Sequence, residues 1–336
     1  MARRPQRGQS DPEPETEPEP TRDQLERAIL GEEPRFTALE VAGESDEALE
    51  QSRRLWRALG FPEYGDDAAF TQGDKDALAT LRAATARGVI DFDTALTLTR
   101  AVGQTMSRLA DWEVATLLPL LEQAEGGAKG RIGTAIQMME AVNDPFGDLL
   151  VYAWRRHLAA SVSRIDALGT DDNAKTYDVT VGFADIVSFT ALSNEIGEER
   201  VGDMIEVFES RCHDVVSSNH GRVIKSLGDS VLFVVEDPER GYDIADGIIK
   251  VIGRDPRMPD VRVGLASGSV VMRMGDVFGP PVNMASRLTA VARRNRVIID
   301  AHTAELLPSD KFETRNLPAR PVRGFGLVEP IAVRRS

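Results

Sequence analysis

The sequence predicts two differently built halves. Up to about Leu168 strand signals are nearly absent, and apolar residues instead recur at steps of three and four. From about Thr176, β-branched runs and helical patterns alternate in the order strand–helix–strand–strand–helix–strand. Gly169-Thr-Asp-Asp-Asn173 is the polar break between the two. The expected fold is therefore α+β, a ferredoxin-like split βαβ domain preceded by an all-α domain.

The elements are taken in chain order. Residues 1–21 are rich in Pro and Glu (Asp11-Pro-Glu-Pro-Glu-Thr-Glu-Pro-Glu-Pro20) and are expected to be disordered, because such a segment repels itself and buries little. Residues 22–168 form the helical domain. Thr21 stands three residues before Gln24, the spacing of a capping box. Leu98, Val102, Met106 and Leu109 are spaced as one buried helix face. Asn143-Asp144-Pro145 reads as a helix start, and the helix after it carries Leu150, Trp154, Leu158, Val162, Ile165 and Leu168 along one stripe. That stripe is expected to serve as core within the domain, on a helix that connects to the second domain. Residues 169–176 are a linker, and 177–336 form the second domain.

In the second domain Tyr177–Ala184 reads as a strand and Asn194–Ser218 as a helix. Gly221–Lys225 and Ser230–Val235 make a hairpin around Leu227-Gly-Asp229. A helix is expected over Pro238–Gly253, then strands at Val261–Ser267 and Ser269–Met274. A helix near Val282–Arg293, a strand at Arg296–Asp300 and a final strand near Leu327–Val333 complete the pattern.

Composition narrows function. The 336 residues carry 54 acidic against 40 basic side chains, a formal net charge of -14. That balance argues against nucleic acid or an anionic membrane as the main partner, since both demand basic surface. No stretch approaches the roughly 20 apolar residues of a membrane span. Arg3, Arg4 and Arg7 have no apolar run after them, so no secretory signal is expected. Cys212, the single cysteine, cannot form an internal disulfide, which fits a reducing cytoplasm. It reads as a small apolar residue on a helix.

Three stretches carry chemistry. They are Val181-Gly-Phe-Ala-Asp-Ile-Val-Ser-Phe-Thr190, Lys225-Ser-Leu-Gly-Asp229, and Asp276-Val-Phe-Gly-Pro-Pro-Val-Asn-Met-Ala-Ser-Arg-Leu288. Asp185 closes a strand and Asp229 sits at a hairpin tip, so both can meet at one sheet edge. Two adjacent carboxylates repel unless one protonates or a cation lies between them. Hard oxygen ligands beside a nucleotide phosphate suit Mg²⁺ or Mn²⁺. Taken singly, Asp229 also suits a turn and Asp185 a helix cap.

Together the three stretches resemble the catalytic domain of class III nucleotidyl cyclases over roughly Thr176–Ser336. The match includes K-x-x-G-D and D-x-x-G-x-x-V-N-x-A-x-R-L. The resemblance implies metal ligands at Asp185, Ile186 and Asp229, with two Mg²⁺ or Mn²⁺ ions per site. It implies that Lys225 and Asp276 select the base. Adenine presents an acceptor at N1 and a donor at N6, which a lysine and an aspartate complement. Guanylyl members of the family carry an acidic residue in place of the lysine, so ATP is the expected substrate and cyclic AMP the product.

By the same resemblance Asn283 orients the ribose and Arg287 steadies charge on the transferring phosphorus. Val322-Arg323-Gly324 stands where the family often has V-K-G, which makes Arg323 a candidate phosphate contact. In this family one chain gives the metal aspartates and a second gives the remaining groups. A homodimer with two shared sites is therefore implied.

The helical half resembles, more loosely, the regulatory domain of bacterial cyclases that are restrained in a pH-dependent way. His157, on the connector helix, is the candidate pH-sensing residue. Three other readings compete: a nucleotide-binding module without catalysis, a guanylyl cyclase, and a diguanylate cyclase. The last lacks its G-G-D-E-F signature here. Gly126-Gly-Ala-Lys-Gly-Arg-Ile-Gly133 lacks phosphate-loop spacing and reads as an inter-helix loop.

Overall fold

The computed structural model describes residues 20–43, 45–123, 130–167, 176–273 and 275–336. The tail at 1–19, the first half of the loop at 126–133 and nearly all of the linker at 169–176 lie outside the described residues. The chain divides into two compact units, one ending at Arg164 and the other beginning at Ile165.

The first unit is helical: α1 (Arg22–Leu30), α2 (Ala38–Ala42), α3 (Asp46–Leu59), α4 (Gln72–Ala86), α5 (Phe92–Gln123) and α6 (Gly130–Ala167). Thr21 caps α1 through the expected box, with the Gln24 side chain returning to the Thr21 amide. A small core joins Val41, Ala42, Leu55, Trp56, Phe70 and Leu78.

Three expectations for this unit are overturned. The face of α5 that is buried carries Ala95, Thr99 and Gly103, not the Leu98 stripe. A side chain at Gly103 would meet the Leu59 backbone at 2.4 Å, so α3 and α5 approach too closely for anything larger. Leu98 is 55% exposed, and Val102 and Met106 are exposed as well. Asn143-Asp-Pro145 starts no helix, because Pro145 lies inside the 38-residue α6. The Asn143 side chain donates to the Ile29 carbonyl at 2.9 Å instead of capping. The proline forfeits one backbone bond, which the continuous helix on either side outweighs. Finally, the α6 stripe is not core in the single chain: Trp154 is 61% exposed, and Leu158 and Val162 are also open to solvent.

The second unit begins with β1 (Thr176–Ile186), α7 (Phe189–Glu195), α8 (Glu198–Ser218), β2 (Arg222–Leu227), β3 (Ser230–Val235), α9 (Pro238–Gly253) and β4 (Val261–Arg273). It continues through β5 (Asp276–Phe278), α10 (Pro280–Val291), β6 (Val297–Ile299), α11 (Ala301–Leu306), β7 (Phe312–Asn316), β8 (Arg320–Val322), β9 (Gly326–Val328) and β10 (Ile331–Arg335). The main sheet has the order β2-β3-β1-β4-β6-β10-β7, with β5 on β4, and its first four strands keep the split βαβ arrangement.

Both faces of the sheet are covered. Val231, Phe233 and Val235 of β3 pack on one face with Phe208, Cys212 and Val216 of α8 and with Ile244, Ile248 and Ile252 of α9. Leu232 and Val234 point the other way, toward Ala285 and Leu288 of α10. Cys212 is fully buried as expected, and burial pushes its thiol far above the usual range.

Several boundaries differ from the sequence reading. The helix expected from Asn194 is two helices, α7 and α8, separated at Ile196-Gly197. The two strands expected at 261–274 are one, β4, paired along its length with β1. The final strand is β9 and β10, divided at Pro330, whose missing amide cannot continue a ladder. The short α11, β7 and β8 had no clear periodic signal.

Candidate active site

Asp185 is the penultimate residue of β1, and backbone register decides its neighbours. It stands opposite Ser230 of β3 and opposite Arg262 of β4. Residues directly opposed across antiparallel strands project to the same face, so the three side chains converge. Ser230 Oγ donates to Asp185 Oδ1 at 2.5 Å. Arg262 donates to Oδ2 through Nε at 2.7 Å, and its Nη2 lies 2.6 Å from the same oxygen in an ion pair.

Asp229 joins them through the backbone. Its carbonyl accepts the Ile186 amide at 3.0 Å, tying the β2–β3 turn to the end of β1. Burial, and then the nearby Asp185 carboxylate, push the Asp229 carboxyl above its ordinary value, against the opposing pull of its own backbone amide and Arg262. The structure thus brings Asp185, Ile186 and Asp229 together. Among the described residues no group of three or more His, Cys, Asp or Glu gathers as a closed metal cage. Two carboxylates plus backbone at an open edge suit Mg²⁺ or Mn²⁺, which is bound through one or two carboxylates and completed by phosphate and water.

A second cluster pairs Lys225 of β2 with Asp276, the first residue of β5. Lys225 Nζ lies 2.5 Å from Asp276 Oδ2, and the Val277 amide donates to Oδ1 at 2.8 Å. Burial alone would raise the Asp276 carboxyl; the Lys225 hydrogen bond, the Val277 amide and the lysine charge together overcome it and hold the group below its ordinary value.

Asn283 and Arg287 lie one turn apart on the exposed face of α10. The opposite face, with Ala285 and Leu288, is buried against the sheet. Gly264 of β4 permits that seating, since a Cβ there would lie 2.4 Å from the Thr289 amide and 2.5 Å from the Ala285 carbonyl. Arg323 sits apart, at the exposed turn between β8 and β9, in a separate two-stranded sheet.

Comparison with known proteins gives the family. The adenylate and guanylate cyclase catalytic domain family matches residues 172–330. A protein named adenylate cyclase from Streptomyces coelicolor is 35% identical, covering 96% of this chain and 93% of its own. The chain belongs to the class III cyclase family. Another member, an adenylate cyclase from Glutamicibacter nicotianae, is 35% identical over 93% of this chain and 83% of its own. A Mycobacterium tuberculosis member named as a pH-sensitive adenylate cyclase is 28% identical over 92% and 81%.

Within this cyclase, sequence reading missed two residues at the carboxylate edge. Ser230 directly follows the Asp229 motif residue. Arg262 left a fainter signal: one charge in the otherwise apolar run Val261-Arg-Val-Gly-Leu265.

Proposed function

We propose that the protein is an adenylate cyclase, converting ATP to 3′,5′-cyclic AMP and pyrophosphate. The Lys225–Asp276 pair carries the reading, because it offers one donor and one acceptor to a base edge, the complement of adenine N1 and N6. The relatives named as adenylate cyclases support it.

Asp185, Asp229 and the Ile186 backbone would hold the divalent ions. Bound there, two Mg²⁺ or Mn²⁺ ions would supply Lewis-acid polarisation of the phosphates and a lowered pKa for the ribose 3′-OH. Asn283 fixes the ribose so that O3′ lies in line with the α-phosphorus. Arg287 places its guanidinium where charge builds on the phosphoryl oxygens. The new O3′–phosphorus bond forms as the bond to pyrophosphate breaks, and the 3′ proton leaves to Asp185 or to water. Arg323 contacts the terminal phosphates.

Each site is shared between two copies in a homodimer, the partner supplying Lys225, Asp276, Asn283 and Arg287. Exposed apolar side chains flank both half-sites and favour this reading: Leu227 beside the Asp229 turn and Phe278 after Asp276, each 52% exposed. A second copy covers such residues at an isologous interface.

Residues 22–168 restrain the catalytic unit, with α6 as transmitter; His157 is exposed on that helix. Among the described residues no helix is long and apolar enough to cross a membrane, and the substrate places the enzyme in the cytoplasm. Incubation of the full chain with ATP and Mn²⁺, followed by chromatography, is expected to show cyclic AMP. Its absence at every pH, with the dimer verified, turns the reading to a nucleotide-binding module. Activity from pH 5 to 8 should differ between the full chain and residues 169–336; identical profiles remove the regulatory role.

A further inference from the structure

Asp185 reaches its place already occupied by a cation. Nε and Nη2 of Arg262 converge on the single oxygen Oδ2, and Ser230 donates to Oδ1. A carboxylate offers about four acceptor positions; the two hydrogen bonds take part of them, and the guanidinium charge on Oδ2 competes with a metal ion for that oxygen. The third nitrogen, Nη1, is anchored 3.2 Å from the Ala290 carbonyl at the end of α10. With 13% of the Asp185 side chain and 28% of the Arg262 side chain exposed, the pair is poorly screened by solvent. Arg262 still has an open side through which to move.

Asp229 has no such tie to the guanidinium among the hydrogen bonds of the described residues; its side chain only feels the charge. Arg262 therefore neutralises one member of the carboxylate pair and leaves the other uncompensated.

We propose that Arg262 is a built-in counterion that competes with the divalent metal for Asp185. Metal entry requires the guanidinium to leave Oδ2, and residue 262 sets the metal affinity of the nucleotide-free enzyme. Arg262 acts here as a positioning residue. The proposal rests on Asp185 being a metal ligand. A site populated only when a competing group has left binds more weakly by the fraction of time it is vacated. Removing the competitor removes that cost.

The test is an electron paramagnetic resonance titration of Mn²⁺ into the full chain without nucleotide. Wild type is compared with Arg262→Gln, Arg262→Lys and Asp185→Asn. Arg262→Gln is expected to bind Mn²⁺ on the order of tenfold more tightly than wild type. Arg262→Lys, which keeps the charge but loses the paired donors, falls between the two. Asp185→Asn loses this binding. If binding depends on Asp185 but Arg262→Gln is equal to or weaker than wild type, the counterion role is overturned. If Asp185→Asn binds like wild type, the metal-ligand reading beneath it fails instead.

Melting provides a second readout. Arg262→Gln should melt lower than wild type in EDTA and gain more from Mn²⁺, because two carboxylates then face each other uncompensated. Equal Mn²⁺ gains also overturn the proposal. Should Arg262→Gln fail to fold without metal, the Arg262→Lys titration decides by the same criterion.

Discussion

Asp185 and Asp276 are both carboxylates held by a basic side chain, yet the two pairs are built differently. Arg262 takes Asp185 from an adjacent strand, in a position fixed by sheet register, at an edge where a second carboxylate waits. Lys225 takes Asp276 across two short segments, with the Val277 amide completing its bonds. The first pair is one cation short, since two carboxylates share one guanidinium. The second is balanced, one charge against one. The contrast bears on the proposed mechanism: in that reading the unbalanced edge takes the metal ion, and the balanced pair offers the donor and acceptor that read the base.

The sharpest way to break this comparison is to separate the two ends genetically. Asp185→Ala alone and Arg287→Ala alone are each expected to lose turnover, the latter by on the order of 10²-fold or more. Mixed and allowed to exchange subunits, they should recover about one quarter of wild-type activity, because half of the dimers are hybrids with one intact site of two. No recovery in mixtures shown to exchange would place both ends in one chain.

A smaller effect is expected at the base end. Lys225→Glu replaces the donor by an acceptor and leaves Asp276 without its cation. Activity with ATP, measured as kcat/KM, should fall on the order of 10- to 10²-fold, the cost of about 1–3 kcal/mol for leaving a buried hydrogen-bonding partner unsatisfied. The ratio of GTP to ATP turnover should rise. An unchanged ratio would separate Lys225 from base selection.

These residues were legible in the sequence to different degrees, and the reason is physical. Asp185, Asp229 and Asp276 lie at a strand end, a turn and a strand start, and Lys225, Asn283 and Arg287 lie within β2 and α10, in short motifs whose local spacing determines which way a side chain faces. Arg262 and Ser230 matter through strand pairing between β1, β3 and β4, a long-range register that no local pattern displays. The same holds for the fold. The α/β alternation of the catalytic unit was readable because its sheet is covered on both faces and its strands are apolar runs. In the helical unit the apolar spacing of Leu98 and Trp154 gave the helices but misassigned the core. The buried face of α5 is built from small residues, Ala95, Thr99 and Gly103, which carry almost no hydrophobic signal.

The mildest prediction tests the charge balance directly, through stability in EDTA. Asp276 has its carboxyl lowered by Lys225, so its ionised form stabilises the fold. That contribution is complete above the ordinary value of 3.8 and is lost as the pH falls through the lower folded value. Asp229 has the opposite sign. Burial and the Asp185 charge raise its carboxyl, so its ionised form opposes folding above the raised value, and protonation relieves the penalty as the pH falls through it. At pH 7, Asp276→Asn should therefore lower the melting temperature and Asp229→Asn should raise it, each by about 2 °C. Both differences should shrink in acid, that of Asp229→Asn at the higher pH. Calorimetry from pH 7 to 3 reads this, and shifts of the same sign at pH 7 would contradict the unbalanced edge and the balanced pair alike.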